Sequence, residues 1–380
     1  MKKKAILLRC VKLLCLVLCV ALLSGVAQDF CRYYDYNVTK LAGFYAEPEN
    51  TLDVVFLGAS EVFTGFSSTY AYDLYGFTSY PYCQDASSAA LYISQLKEVL
   101  KHQNPEWIVM EINGALYEDP EMLTDSGGMR RYLNNIPFSW NKVQTITQLV
   151  PQEDWYFYFF PLAKNHSNWK NAGNQGQNIR DYYAIRRSGS LLKGNVLTVT
   201  DYKAPASRPV AGDLSTAPLE PQAEVCLRGF LEYCRDEGID NILFVRFPHI
   251  IANDALYTRF QRGNRAGEII QEYGYPFVNL ERDNEEIGLD YSSDFYNEDH
   301  LDLSGQKKLT EYLGKLLKEE YGVEGRSLTE KQRDQWGRAA DYGRAFYELC
   351  QEHTQNNVHG FFYETGELVE QLKDRLRTQP

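Results

Sequence analysis

The stretch that decides the fold is DVVFLGASEVFTGF, residues 53–66. Val54, Val55, Phe56 and Leu57 form a short unbroken apolar run that stops at Gly58. A strand that is apolar at every position is buried on both faces, as in a parallel sheet covered by helices. Ser60 stands two residues after the glycine, where a sharp strand-to-helix turn lifts its hydroxyl above the sheet.

The same grammar continues outward. A second short strand is expected over residues 78–83. Ala89, Tyr92, Ile93, Leu96, Val99 and Leu100 fall at helical spacing, and Asn104-Pro105 ends that helix. WIVMEI (107–112), NILFVRF (241–247) and YPFVNL (275–280) read as the third, fourth and fifth strands. Helices are expected at Ala223 to Cys234, across 254–273, and at Leu309 to Leu317. Strands alternating with amphipathic helices predict an α/β fold: three layers, α/β/α, around a five-stranded parallel sheet. Ligands in such sheets bind beyond the carboxyl ends of the strands. Residues 51–325 hold this domain. Within it, residues 114–218 break the alternation and read as a long insertion facing substrate. Residues 28–50 read as a polar connector, and 326–380 as a helical, charged C-terminal extension.

Residues 1–27 carry Lys2, Lys3, Lys4, Arg9 and Lys12 and no acid, then LLCLVLCVALLSGVA (13–27). With Arg9 and Lys12 snorkelling, the apolar run nearly spans a bilayer. The basic flank stays inside, so the body lies outside the cell membrane as a single-pass protein. A signal peptide cleaved near Gly25 and Ala27, giving a secreted protein, is the rival. The formal charge is −12, and the chain without residues 1–27 has 34 basic against 51 acidic residues, or −17. Such a body repels phosphate backbones, which excludes nucleic acid as a partner. The eight cysteines have no metal-ligand spacing, and Cys226 and Cys234 are about 12 Å apart on one helix, beyond disulfide reach. No metal, cofactor or disulfide framework is expected.

A serine at a strand end needs a base before it becomes a nucleophile. The stretch SDFYNEDHLDLSGQKKLTEYL (293–313) supplies one: His300, in a polar loop after the fifth strand and before the last core helix. The parallel sheet brings this loop to the edge that carries Ser60. Together they suit acyl transfer, with histidine taking the serine proton and backbone N–H groups holding the oxyanion.

With these residues the chain resembles the SGNH, or GDSL-like, hydrolases. Their Gly-Asp-Ser motif corresponds here to Gly58-Ala59-Ser60, and their Asp-x-x-His motif to Asn297-Glu298-Asp299-His300. The resemblance covers roughly residues 50–322 and implies the flavodoxin-like SGNH fold. It is nearest to the membrane-anchored, extracytoplasmic branch of DltD-like and alginate-acetylation proteins, which FPLAKNHSNWK (160–170) also resembles. That branch implies esterase or O-acyltransferase chemistry, most simply acetyl transfer, on envelope carbohydrate, sometimes beside a membrane-bound O-acyltransferase.

The departures are specific. Asn297 stands where the family has the acid of its triad; it can orient the imidazole but cannot stabilise its charge. Asp299 is adjacent to His300 and points elsewhere in an extended loop, which leaves Asp294 as the candidate acid. The family's oxyanion donors are a glycine after the second strand and an asparagine after the third. Asn113 matches the asparagine; no glycine follows the second strand, so Asp85 would lend its backbone N–H. His166 in the insertion and Arg246 at the end of the fourth strand are candidate substrate-binding residues. His102, His249, His353 and His359 carry no readable signal. The alternative function is a non-catalytic relative that binds glycan or scaffolds an acylation complex.

Overall fold

In the computed structural model, which describes residues 2–124, 127–355, 359–364 and 372, the apolar runs do become buried strands. Five of them form one parallel sheet: β1 (Val54–Leu57), β2 (Ser79–Pro81), β3 (Trp107–Glu111), β5 (Ile242–Arg246) and β6 (Phe277–Asn279). Two more, β4 (Leu197–Val199) and β7 (Gly360–Phe362), pair with each other. The order of the large sheet is β2-β1-β3-β5-β6, every neighbouring pair parallel. The chain runs outward from β1 to β2, then returns to lay β3 on the other side of β1. Loops at the carboxyl ends of β1 and β3 therefore diverge there and leave a crevice.

Alternate side chains of each strand enter opposite cores. Val55, Leu57, Ile108, Met110 and Phe244 pack with Leu96 and Val99 of one helix and with Phe230 and Ile269 of two others. Val54, Phe56, Val109, Leu243 and Val245 pack on the other face with Val62, Phe66, Leu309 and Leu313. Helices thus cover both faces, which is why every position of β1 and β5 is buried.

Two regions depart from the sequence reading. The connector is a packed helix, not a polar linker. The N-terminal helix α1 (Lys2–Cys31) runs to Cys31, and α2 (Tyr36–Phe44) follows with eight of its nine residues buried. Asp35 caps α2 by accepting from the Val38 N–H. The insertion is largely helical, including Gly127–Asn135, Trp140–Leu149 and Ala172–Ser188, and it contains β4. The long C-terminal helix Glu330–Gln355 leads to β7, which lies antiparallel to β4, with Thr198 opposite Phe361. The extension and the insertion, far apart in sequence, close on one another through this ribbon. In α1, Ile6–Cys31 is long and apolar enough to cross a membrane, with a mean hydropathy of 2.7.

Candidate active site

Gly58 makes the turn that the serine needs. Its φ is +143°, and a Cβ there would stand 2.8 Å from the Cβ of Glu111 on the neighbouring strand. Both conditions demand glycine. Ala59 is extended, and Ser60 opens the short helix α3 (Ser60–Gly65), so its hydroxyl sits at the crevice beside β3.

His300 reaches it from the loop after β6. A single bridge between Phe295 and Leu301 closes this loop, and the Tyr296 N–H donates to the His300 carbonyl at 2.8 Å. Asp302 then caps the helix Leu303–Glu319 by accepting from the Ser304 and Gly305 N–H groups. The imidazole is pinned between two partners: Nε2 is 2.8 Å from Ser60 Oγ, and Nδ1 is 2.9 Å from Asn297 Oδ1. That Oδ1 also accepts the backbone N–H groups of Asp299 and His300, each at 2.9 Å. The atom facing Nδ1 is therefore the amide oxygen and not the amide nitrogen. Nδ1 must carry the hydrogen, which leaves Nε2 as the acceptor for the serine proton.

The remaining sequence candidates lie elsewhere or do other work. Asp294 does not touch the imidazole. Its carboxylate holds Lys308 Nζ and Ser304 Oγ, each at 2.6 Å, and accepts the Asp290 N–H at 2.7 Å. It fastens the loop to the following helix. The Asp85 N–H is taken by Asn37 Oδ1 at 3.1 Å, while its carboxylate receives Tyr36 Oη and Asn37 Nδ2. Asp85 anchors α2 to the loop after β2, and its backbone N–H is not free for an oxyanion. His166 is exposed; its Nδ1 lies 3.0 Å from the Ala163 carbonyl, and its own carbonyl faces Cys31 at the end of α1. Arg246 is fully buried and cannot meet substrate. Asn113 does sit at the crevice, with Oδ1 accepting from Arg246 at 2.8 Å and one Nδ2 hydrogen given to Glu61.

Glu61, the residue after the serine, went unread in the sequence. It is buried, yet Oε2 is 3.5 Å from Ser60 Oγ. Beneath it lies a dry cluster. Arg246 is 3.2 Å from Glu281 and 3.5 Å from Glu111, and His249 is 3.0 Å from Glu281 and 3.8 Å from Glu61. Burial works against the Glu61 charge, but His249 and His300 outweigh it and hold the carboxyl below its ordinary range. Glu281 is lowered in the same way, against burial, by Arg246 and His249. Burial and the charge of Glu61 push Glu111 the other way, up to about 7. His249 is raised, because Glu281 and Glu61 overcome burial and the Arg246 charge. On the outer side Asp299 pairs with Arg259, which overcomes burial and brings its carboxyl to about 2. Of this cluster only Arg246, at the end of its strand, stood out in the sequence; Glu61, His249 and Glu281 follow strands within a few residues and left no further signal.

Aromatic side chains stand over the imidazole. Phe361 of β7 lies 6.1 Å from the His300 ring, 4.9 Å from Tyr296, and is stacked on Tyr36 at 5.9 Å. Lys40 of α2 is buried beside them, with Nζ 3.0 Å from the Phe63 ring centre, and burial lowers its ammonium to about 8. Among the described residues no three His, Cys, Asp or Glu side chains gather as a metal site.

Chemically, the arrangement offers a serine hydroxyl, an oriented neutral imidazole as base, and negative charge close by. Neither the family models nor the curated proteins nor the solved structures give a match to this chain.

Proposed function

We propose that the protein is a membrane-anchored serine esterase or O-acyltransferase of the SGNH type, acting on acyl esters of cell-envelope carbohydrate. The observation that carries this reading is the Ser60–His300–Asn297 line, with Ser60 Oγ 2.8 Å from an imidazole nitrogen whose tautomer is set from the other side. The strand order and the helices on both faces support the flavodoxin-like layering of that family. The apolar helix α1 supports an anchor with its basic end inside and the body outside.

In the reaction, His300 Nε2 accepts the serine proton as Oγ attacks the ester carbonyl. The Ser60 N–H and the second Asn113 amide hydrogen are the oxyanion donors. The collapsing intermediate expels the first alcohol, protonated by His300. Water or a sugar hydroxyl then takes the acyl group from Ser60, which separates hydrolase from transferase. A membrane-bound O-acyltransferase is the partner class that would deliver acyl groups.

Asn297 separates two duties that one carboxylate usually performs. It fixes the tautomer but brings no charge. Glu61 and Asp299 are the carboxylates that interact electrostatically with His300, and they bring the negative charge that Asn297 lacks.

The occupied Asp85 N–H favours a second reading, a glycan-binding or scaffold protein with a residual site, because it leaves one oxyanion donor fewer. Labelling of the full chain with a fluorophosphonate separates the two. The enzyme predicts modification of Ser60 that is lost in Ser60→Ala and His300→Ala. A folded protein that does not label supports the scaffold.

A further inference from the structure

The end of the anchor helix is clamped by the insertion. Asn168 Nδ2 donates to the Cys31 carbonyl at 3.0 Å, and Gln175 Nε2 donates to the carbonyls of Phe30 (3.1 Å) and Arg32 (2.9 Å). The apolar span Ile6–Cys31 has 26 residues. At 1.5 Å per residue it is about 39 Å long, against about 30 Å for a bilayer's hydrocarbon core. Resting on the proposed reading of α1 as a membrane anchor, this length puts the clamp at the level of the lipid headgroups.

A cleft of about 680 Å³ opens beside it, lined by Arg32, Arg130, Arg131, Lys142, Lys164 and Arg186. Among the described residues Asp35 is the one acidic side chain that lines it. Among the described residues, six cations against one acid reverses the balance of the whole chain, which carries 51 acidic and 39 basic residues. The composition does not explain the cluster.

The cations are only partly matched. Arg32 pairs with Asp29 at 2.9 Å, and Arg131 is 3.8 Å from Asp35. Among the described residues no carboxylate pairs with Lys142, Lys164 or Arg186. Lys142 is only 7% exposed and gives one hydrogen bond, to the Ile136 carbonyl at 3.4 Å. Burial lowers its ammonium to about 8, which still leaves it mostly charged at neutral pH, so an anion entering the cleft would offset the cost of burying that charge. Large aromatic side chains stand exposed around the clamp and cleft: Phe138 at 79%, Phe160 at 63% and Trp169 at 57%. Aromatic rings of this kind seat at the boundary between hydrocarbon and water.

A compact anion that carries oxygens on several sides fits such a set of guanidinium and ammonium groups. At that depth the abundant source is the bilayer itself. We propose that this cleft binds the phosphate of an anionic phospholipid headgroup next to α1, fixing the height and tilt of the body on the membrane.

The test uses the purified full chain in a neutral detergent. Its thermal unfolding is followed with phosphatidylglycerol, phosphatidylcholine or inorganic phosphate at matched phosphate concentration. Phosphatidylglycerol is expected to raise the midpoint by ~3 °C or more, and the other two by under a third of that. The double variant Lys164→Ala/Arg186→Ala should lose at least half of the shift. Arg187→Ala, exposed on the same helix but lining a different cleft, should keep it. Equal shifts with the two lipids, or a full shift in the double variant, would overturn the proposal. A full shift with inorganic phosphate alone would also overturn it, by making the cleft a site for a soluble anion. None of these readings depends on whether Ser60 is a nucleophile.

Discussion

Ser60 and Glu61 are neighbours in sequence, yet they belong to different environments. Ser60 joins a half-buried row with His300 and Asn297, in which every hydrogen bond is between neutral groups. Glu61 joins a fully buried cluster of charges with Arg246, His249 and Glu281. The upper row can move a proton because nothing in it is locked by a salt bridge. The lower cluster cannot easily move anything, because its buried charges are held by one another and by the Asn113 amide. The contrast suggests a division of labour, with geometry kept above and electrostatics stored below.

The largest expected effects would separate the two regions outright. Ser60→Ala or His300→Ala should reduce esterase turnover and fluorophosphonate labelling by roughly 10⁴-fold or more. Urea midpoints should barely move, since both side chains are half-buried. Arg246→Met should do the opposite first. It leaves Glu111 and Glu281 facing each other in a dry core, and urea titration should report a loss of about 3–5 kcal/mol.

A double-mutant cycle sharpens the comparison at the junction. Glu61→Gln should lower the acylation rate by about 100-fold while Ser60 and His300 stay in place, a cost of about 2.7 kcal/mol. Asn297→Asp should raise the rate more in the Glu61→Gln background than in the parent, because the two carboxylates serve the same imidazolium. Equal gains in both backgrounds would show that Glu61 does not supply charge to His300.

The lower cluster also predicts a pH signature. The Glu111 carboxyl is raised from an ordinary 4.5 to about 7 by burial and by Glu61. Its stabilising share is complete below pH 4.5 and is lost as pH rises through 7, since the folded state holds a proton that the unfolded chain has released. The loss is at most about 3 kcal/mol. Glu61, Glu281 and Asp299 are lowered, so they act in the other sense and lose stability on acidification. Glu111→Gln should flatten the decline between pH 4.5 and 7 and leave the acid limb intact, which denaturation across pH would measure.

The smallest effect concerns the aromatic cover. Phe361→Ala should raise the labelling rate a few-fold by opening the approach to His300, with a small drop in thermal midpoint. A fall in labelling would mean that Phe361 holds the imidazole in place.

The five strands were legible because each is an apolar run closed by a polar or glycine break, and both faces of the sheet are covered. The meeting of Ser60 and His300 was legible because a parallel sheet carries every βα loop to one edge. The partners of these residues were not. Asp294 and Asp85 stand at plausible spacings, but the choice of partner depends on side-chain direction, which spacing does not encode. Arg246 read equally as a substrate-binding residue or as the partner of a structural acid; the second holds, because glutamates on β3 and after β6 pair with it, and one strand alone does not show them. Glu61 was hidden by its own neighbour: a polar residue after a strand-end serine reads as the start of a helix. The pairing of β4 with β7 joins two segments of three residues each, too short to leave a periodic signal.

That pairing also sets a timetable. Synthesis completes the sheet with β6 and the helix that follows it, and Ser60 and His300 can then meet. Phe361 is added about 40 residues after that helix ends at Glu319, roughly 2–8 s at usual elongation rates of about 5–20 residues per second. For that interval the newborn site stands uncovered, and only the arrival of the last segment closes it. A product truncated before β7 would lack Phe361 and present a barer imidazole than the full chain does.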